Sequence, residues 1–285
     1  MARLSRLSAL LFGLASTAAQ ACGSQAEPCK VPLGDYHAAV PATALPPGQK
    51  RPAVLFFHGA GGGGDAVLAA DSVLKPFVEA GYVVLGPSGL VMQGSRYGRG
   101  WSFLPDAPQQ RDELAFAQQV LGDAAARFGI DRKRVLVGGF SIGASLTWYL
   151  ACRQPDLGAA YAPLAGNFWR PHPVKCAGPV DILQTHGWRD EVFPLEGRQL
   201  GPNHAQGDVF EGLQLWRATD GCKTTRPDAI EVRGPVWQRS WTNCESGRQV
   251  SLMLHAGGHE DPPKEWAELA RHWFEARLKA RPVAN

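Results

Sequence analysis

The sequence predicts an α/β fold, with a mostly parallel central sheet and helices on both faces. Three observations carry that expectation. Apolar runs of strand length recur and end in glycine, segments between them show helical periodicity, and no linker or second composition regime divides the chain. In order, "RPAVLFFHGAGGGGD" (51–65) reads as a buried strand closed by a turn, and "AGYVVLGPSG" (80–89) as a second strand. "PQQRDELAFAQQVLGDAAARFGI" (108–130) follows as a helix. It places Leu114, Ala117, Val120, Leu121, Ala124 and Phe128 at helical spacing, with Gly129 as its stop. Then come the strand "RVLVGGF" (134–140), a helix after Ser141, and the strands "PVDILQTHG" (179–187) and "VSLMLHAGGH" (250–259). A last amphipathic helix runs through "PKEWAELARHWFEARLKA" (263–280).

Composition limits what the chain can be. Of 285 residues, 45% are hydrophobic and 19% charged, which suits a globular core and neither disorder nor a membrane-embedded protein. Residues 1–21, "MARLSRLSALLFGLASTAAQA", put Arg3 and Arg6 before a short apolar stretch and end in an A-x-A pattern. They read as a secretory signal peptide, too short in its apolar part to span a bilayer. The remaining residues 22–285 read as one domain. The formal charge of +3 includes the two leader arginines, so the mature chain holds 27 basic against 26 acidic residues with no basic cluster. That argues against nucleic acid as a partner, and no obligate protein partner is implied.

An exported chain, secreted or periplasmic, meets oxidising conditions, and six cysteines follow the leader: Cys22, Cys29, Cys152, Cys176, Cys222 and Cys244. Nearest-neighbour pairing is the expectation: Cys22–Cys29, Cys152–Cys176 and Cys222–Cys244. Acylation of Cys22 as a lipoprotein would leave an odd number, and Ala19 stands where a lipoprotein signal has Leu. No C-x-x-C pair suggests zinc, and nothing implies an organic cofactor.

The chemistry gathers around "GGFSIGAS", where Gly139-Phe140-Ser141-Ile142-Gly143 spells G-x-S-x-G between a strand and a helix. A packing serine in a β–α turn is the alternative. A serine nucleophile needs an adjacent base, and the base an orienting carboxylate, arriving in the chain order Ser, Asp or Glu, His. Asp190 in "THGWRDEVFP" follows the next strong strand, with Glu191 as its rival. His259 ends "LHAGGH" in a glycine loop after the last strand, whereas His255 adjoins the strand and reads as structural. An oxyanion hole would join the N–H of Ile142 to one from "HGAGGGG", at Ala60 or Gly59. Gly59, Gly61 and Gly64 also match G-x-G-x-x-G, but no acid follows about 20 residues on to hold a ribose.

With these residues in place, the sequence resembles the secreted polyhydroxybutyrate depolymerase group of serine esterases, α/β-hydrolases related to feruloyl and acetylxylan esterases. The resemblance rests on "FFHGAGGGG", "WSF" (101–103), "RDELAFAQQVL", "GFSIGASLTWYLAC", "FWRPHP" (168–173), "THGWRDEVFPLEGR" and "LHAGGH". It implies Ser141, Asp190 and His259 as the triad of an enzyme cleaving 3-hydroxyalkanoate esters, with feruloyl or acetylxylan esters as the alternative. The chain ends about 25 residues beyond His259. The added substrate-binding domain that such depolymerases carry for solid polymer is thus not expected, which favours soluble oligomers or small esters. A non-catalytic binding module is the reading from another class, and an intact triad argues against it. Trp101, Trp169 and Trp188 lie in or near the loops expected around the site. They are candidates to stack on an aromatic acyl group, a sugar or a polyester chain, with wall or packing roles as the alternative.

Overall fold

The computed structural model describes residues 22–23, 26–94, 97–104, 107–260 and 262–280. The expected signal peptide, residues 1–21, lies outside them. In chain order the described elements begin with the strands β1 (Cys29–Val31), β2 (Gly34–Ala39) and β3 (Arg51–Phe57), then the helices α1 (Gly64–Leu68) and α2 (Asp71–Glu79). Strands β4 (Val83–Pro87), β5 (Leu90–Val91) and β6 (Arg99–Gly100) lead into α3 (Glu113–Phe128). Next are β7 (Ile130–Phe140), α4 (Ile142–Arg153), β8 (Ala160–Leu164), β9 (Trp169–Arg170), β10 (Ile182–Gly187), β11 (Gln199–Leu200) and β12 (His204–Gln206). Helix α5 (Val209–Asp220), the strands β13 (Ala229–Arg233), β14 (Val236–Trp241) and β15 (Val250–His255), and helix α6 (Trp266–Ala280) complete the order.

Ten strands form one sheet in the order β1-β2-β4-β3-β7-β8-β10-β15-β14-β13. The six central strands, β4 to β15 in that order, are parallel. Strands β2 and β14 pair antiparallel with β4 and β15 at the two sides, and β1 and β13 pair antiparallel with β2 and β14 in turn. The parallel strands read as apolar runs rather than as alternation because both their faces are covered. On β3, Ala53, Leu55 and Phe57 enter one apolar cluster with residues of α3, α4 and α5, such as Phe116, Leu146 and Trp216. Val54 and Phe56 enter a second cluster with Phe77 of α2 and Trp266, Ala270 and Phe274 of α6.

Helix ends follow local chemistry. Asp112 caps α3 by accepting from the N–H groups of Leu114 and Ala115, and Asp208 caps α5 through Phe210 and Glu211. Gly129 and Gly221 close the same helices in the left-handed conformation. Two boundaries differ from expectation. Helix α3 starts at Glu113, not 108, because Asp112 is its cap. Strand β7 reaches back to Ile130, which pairs with Arg51 across an irregularity in the β3 ladder.

The cysteines pair as neighbours: Cys22–Cys29, Cys152–Cys176 and Cys222–Cys244, with no free cysteine among the described residues. None of the described helices is long and apolar enough to cross a membrane.

Candidate active site

Parallel strands all end at one edge of the sheet, and ligands of open α/β sheets bind in the crevice outside those ends. Here β3 runs into His58, β7 into Ser141, β10 into the loop of Asp190 and β15 into the loop of His259. Four segments far apart in sequence therefore meet at one edge.

Ser141 sits between the last residue of β7 and the first of α4, with φ 57° and ψ −122°. A non-glycine residue there carries strain of about 1–3 kcal/mol, which the surroundings must impose. They do so by close packing. A Cβ at Gly143 would lie 2.2 Å from the carbonyl oxygen of Phe57, one at Gly139 2.4 Å from that of Gly143, and one at Gly166 2.3 Å from that of Ser141. Only hydrogen at these three positions lets strand, turn and helix approach so closely. The Ser141 N–H donates to Leu164 O at 3.0 Å, which ties the turn to β8.

His259 Nε2 lies 2.9 Å from Ser141 Oγ, and its Nδ1 2.7 Å from Asp190 Oδ2. The other Asp190 oxygen accepts the N–H groups of Val192 at 3.0 Å and Phe193 at 2.7 Å. Burial alone would raise this carboxyl's pKa. The bonds from His259 and Phe193, with the nearby imidazoles, outweigh it and hold the group below the usual carboxylate range. A charged acceptor fixes the His259 proton on Nδ1 and leaves Nε2 with a lone pair toward the serine hydroxyl. The ring of Phe140 packs on the imidazole at 4.8 Å. Beneath Asp190, the fully buried His186 accepts from Gln184 at Nδ1 (3.0 Å), so its proton is on Nε2, 2.7 Å from Phe193 O. That proton also lies toward Asp190 Oδ2, 3.4 Å away. The rival Glu191 is exposed. His255 is buried and accepts from Gly257 N at Nδ1, a structural contact.

The glycine loop after β3 lies against this group. A Cβ at Gly59 would stand 3.4 Å from Ser141 Cβ. Gly61 N donates to Arg99 O, and Gly62 N to Gly59 O. Ile142 opens α4, so its N–H has no acceptor within the helix. Among the described residues, no group of three or more His, Cys, Asp or Glu side chains is arranged to hold a metal ion.

A cleft of about 830 Å³ opens on Ser141 and His259, with Val67, Val73, Leu164, Val192 and Tyr97 among its lining. None of the three expected tryptophans lines it. Trp101 is a correction: it is only 3% exposed, packs edge-on against Phe57, and donates its indole N–H to His58 O at 2.9 Å. It supports the glycine loop from below and presents no surface to a ligand. Trp169, on β9, is half-buried and donates its indole N–H to Oγ of Ser145, a residue of α4, at 3.2 Å. Trp188 is 61% exposed outside the cleft. Sequence reading missed Tyr97 and Val192 because one lies in a short polar, glycine-rich loop and the other is a lone aliphatic residue beside an acid pair. Neither sits in a periodic pattern that would single it out.

Comparisons with known proteins bear on the family and the fold. NocK of Nocardia uniformis subsp. tsuyamanensis, named as a candidate esterase, is 28% identical over 247 residues, 79% of this chain and 69% of that one. Feruloyl esterase B of Piromyces equi is 26% identical over 173 residues, 58% of this chain and 32% of its own length. The chain thus spans about a third of that relative. Among solved structures, an acetyl xylan esterase from Aspergillus awamori superposes with a TM-score of 0.63 at 14% identity, over 85% of this chain and 93% of the other. A Bacillus cereus carboxylesterase gives 0.53 at 15% identity, over 85% and 94%. Those likenesses speak for the α/β-hydrolase fold. A family model described as phospholipase/carboxylesterase matches residues 38–205, more than half of the chain, and the protein therefore belongs to that family of esterase-type hydrolases.

Proposed function

We propose that the protein is an exported serine carboxylesterase whose triad is Ser141, His259 and Asp190. The observation that carries this reading is the unbroken chain of two hydrogen bonds, 2.9 and 2.7 Å, from the Ser141 hydroxyl through His259 to a charged Asp190. His259 Nε2 takes the Ser141 proton as Oγ attacks the ester carbonyl, and the negative charge moves to the former carbonyl oxygen. The N–H of Ile142 and one from Gly59 or Ala60 would stabilise that oxygen. The imidazolium returns its proton to the leaving alkoxide, releasing the alcohol. Water then repeats the sequence on the acyl-enzyme and frees the acid. An alcohol in place of water would give acyl transfer instead. Three disulfides, together with the leader-like N-terminus, support export.

On the acyl group, relatives named as a feruloyl esterase and as a bifunctional acetylxylan esterase/xylanase support a feruloyl or acetyl ester, and the cleft is larger than an acetyl group needs. A 3-hydroxyalkanoate oligomer is the second reading, supported by the aliphatic lining from Val67, Val73, Leu164 and Val192. The test is product release from methyl ferulate, acetylated xylan and soluble 3-hydroxybutyrate oligomers, with Ser141→Ala protein as the control. Preference for ferulate or acetyl groups supports the first acyl class, and preference for the oligomers the second. Equal inertness of wild type and Ser141→Ala on all three would overturn the esterase assignment and revive a binding module.

A further inference from the structure

The ten-stranded sheet ends differently at its two sides. β1 is three residues long, carries the exposed Lys30 and is tied down by the Cys22–Cys29 disulfide. A short strand with a lysine is one way a sheet keeps an open edge from pairing. β13, at the other side, has no such guard. Its five residues, Ala229 to Arg233, include neither lysine nor proline, and Ile230 and Val232 are 64% and 66% exposed. We propose that β13 is a self-association edge. Two copies of the chain pair antiparallel through it, about a two-fold axis at Val232, and join their sheets into one.

Ladder alternation decides which backbone groups are free. Gly234 and Pro235 form a two-residue loop closed by the pair Arg233 and Val236. In such a hairpin the closing residues exchange both hydrogen bonds, and bonded pairs recur at every second position. Arg233, Glu231 and Ala229 therefore spend their N–H and C=O groups on β14. Asp228 N–H also reaches Ser240 O, at 2.9 Å, and ends the ladder in a bulge. Ile230 and Val232 turn their N–H and C=O groups outward, and among the described residues no strand lies beyond them. An antiparallel partner would satisfy all four groups. The hairpin is held at its base before any partner arrives. Cys222–Cys244 joins the segments there, and Asp228 accepts from the N–H groups of Thr242 and Asn243. Little conformational freedom is left to lose on pairing.

Side chains choose the partner and the register. On one face, Ile230 and Val232 lie beside Trp237, which stands opposite Val232 on β14 and is 43% exposed. A second copy would lay an identical apolar strip against this one. On the other face, Glu231 and Arg233 form an exposed ion pair. The outward groups meet only where even-numbered residues pair with even-numbered ones. An axis at Glu231 or Arg233 would set two like charges directly opposite, which destabilises a sheet. An axis at Ile230 would set Val232 against Asp228, whose carboxylate already serves Thr242 and Asn243. An axis at Val232 sets that residue against its own copy and each Glu231 against the Arg233 of the second copy. The charge pattern is thus complementary to itself, and this assigns the edge to a second copy of the chain. β13 runs parallel to β15, so the two-fold axis turns the edges that carry Ser141 in opposite directions and leaves both clefts open.

Sedimentation equilibrium tests the edge. Wild type should dimerise in the micromolar range. Glu231→Arg and Arg233→Glu, each alone, should weaken the dimer at least about tenfold. The double reversal should restore it to within about threefold, because the swapped charges still pair. Thermal melts of the dilute variants should match wild type, which separates lost pairing from a lost fold. Register has its own readout. Across the axis the two Val232 Cα atoms would lie about 5.5 Å apart, within reach of a disulfide, whereas the two Ile230 would lie about 14 Å apart. Air-oxidised Val232→Cys should therefore run as a covalent dimer on a non-reducing gel, and Ile230→Cys as a monomer. A wild type still monomeric at about 100 µM overturns the inference. So does a dimer indifferent to both single reversals or unrescued by the double one, and so does equal cross-linking of the two cysteine variants.

Discussion

Replacing Asp190 by asparagine should silence the enzyme while leaving it folded, and the structure shows why. The two backbone donors, Val192 N–H and Phe193 N–H, both point at Oδ1 and demand an acceptor there. The asparagine oxygen must therefore take that site, which places its NH₂ where Oδ2 now meets His259 Nδ1 at 2.7 Å. Facing a donor, Nδ1 becomes the acceptor and the ring proton moves to Nε2. Nε2 then has no lone pair for the Ser141 hydroxyl, 2.9 Å away. A wrong tautomer in an otherwise intact Ser-His-Asp triad costs about 10⁴-fold in kcat, roughly 5.5 kcal/mol of transition-state stabilisation. The second amide hydrogen would face the Nε2–H of His186, which lies 3.4 Å from Oδ2, adding a stability loss of about 1–2 kcal/mol. Steady-state hydrolysis of p-nitrophenyl butyrate with a parallel thermal melt measures both effects. Less than a tenfold loss of kcat in a folded Asp190→Asn protein would refute the tautomer argument.

Two further expectations test the packing and the electrostatics. Gly143→Ala would put a methyl carbon 2.2 Å from Phe57 O and 2.6 Å from His58 O, both backbone atoms that cannot rotate away. Stability should fall by about 1–3 kcal/mol by urea denaturation, although alanine normally favours a helix, and kcat by about 10²-fold as the elbow and glycine loop are pushed apart. Asp220, at the end of α5, has its pKa raised to about 7 by burial and by the nearby Asp181 carboxylate, against one Val180 N–H bond and Arg248. Its folded pKa exceeds its unfolded one, so its contribution is intact below about pH 4 and is lost as pH rises toward 7, by about 4 kcal/mol at most. Asp220→Asn should remove that slope. The stability difference between variant and wild type, measured by urea titration at pH 4, 6 and 8, should move in the variant's favour and level off above 7, and a flat difference would contradict the assignment.

Much of this site is legible in one dimension because Ser141, Asp190 and His259, the proposed nucleophile, acid and base, each follow a strand and each occupy a glycine-rich or turn-forming loop. Ser141 is marked by Gly139 and Gly143, which the close approach of β7, β3 and α4 requires, and His259 by Gly257 and Gly258, whose carbonyls crowd Gly187. The parallel strands were legible for the same kind of reason, since burial on both faces leaves an unbroken apolar run. Strand β8, "AYAPL", was not, because it holds no β-branched residue and is a strand only through its neighbours β7 and β10. The hairpin β13–β14 was missed because it is mostly exposed on its outer strand, which leaves no apolar run to read.

The sequence by itself determined the fold class and the order of serine, acid and histidine, because each is written in local spacing or residue type, whereas neighbouring disulfides were one favoured pairing among fifteen until the fold brought those cysteines together. Only the tertiary structure decided what depends on direction. It turned Trp101 from a candidate ligand platform into a buried prop under His58, because an indole N–H and the His58 carbonyl find each other across 43 positions of chain. It moved Trp188 to the outside and brought Tyr97 and Val192 to the cleft.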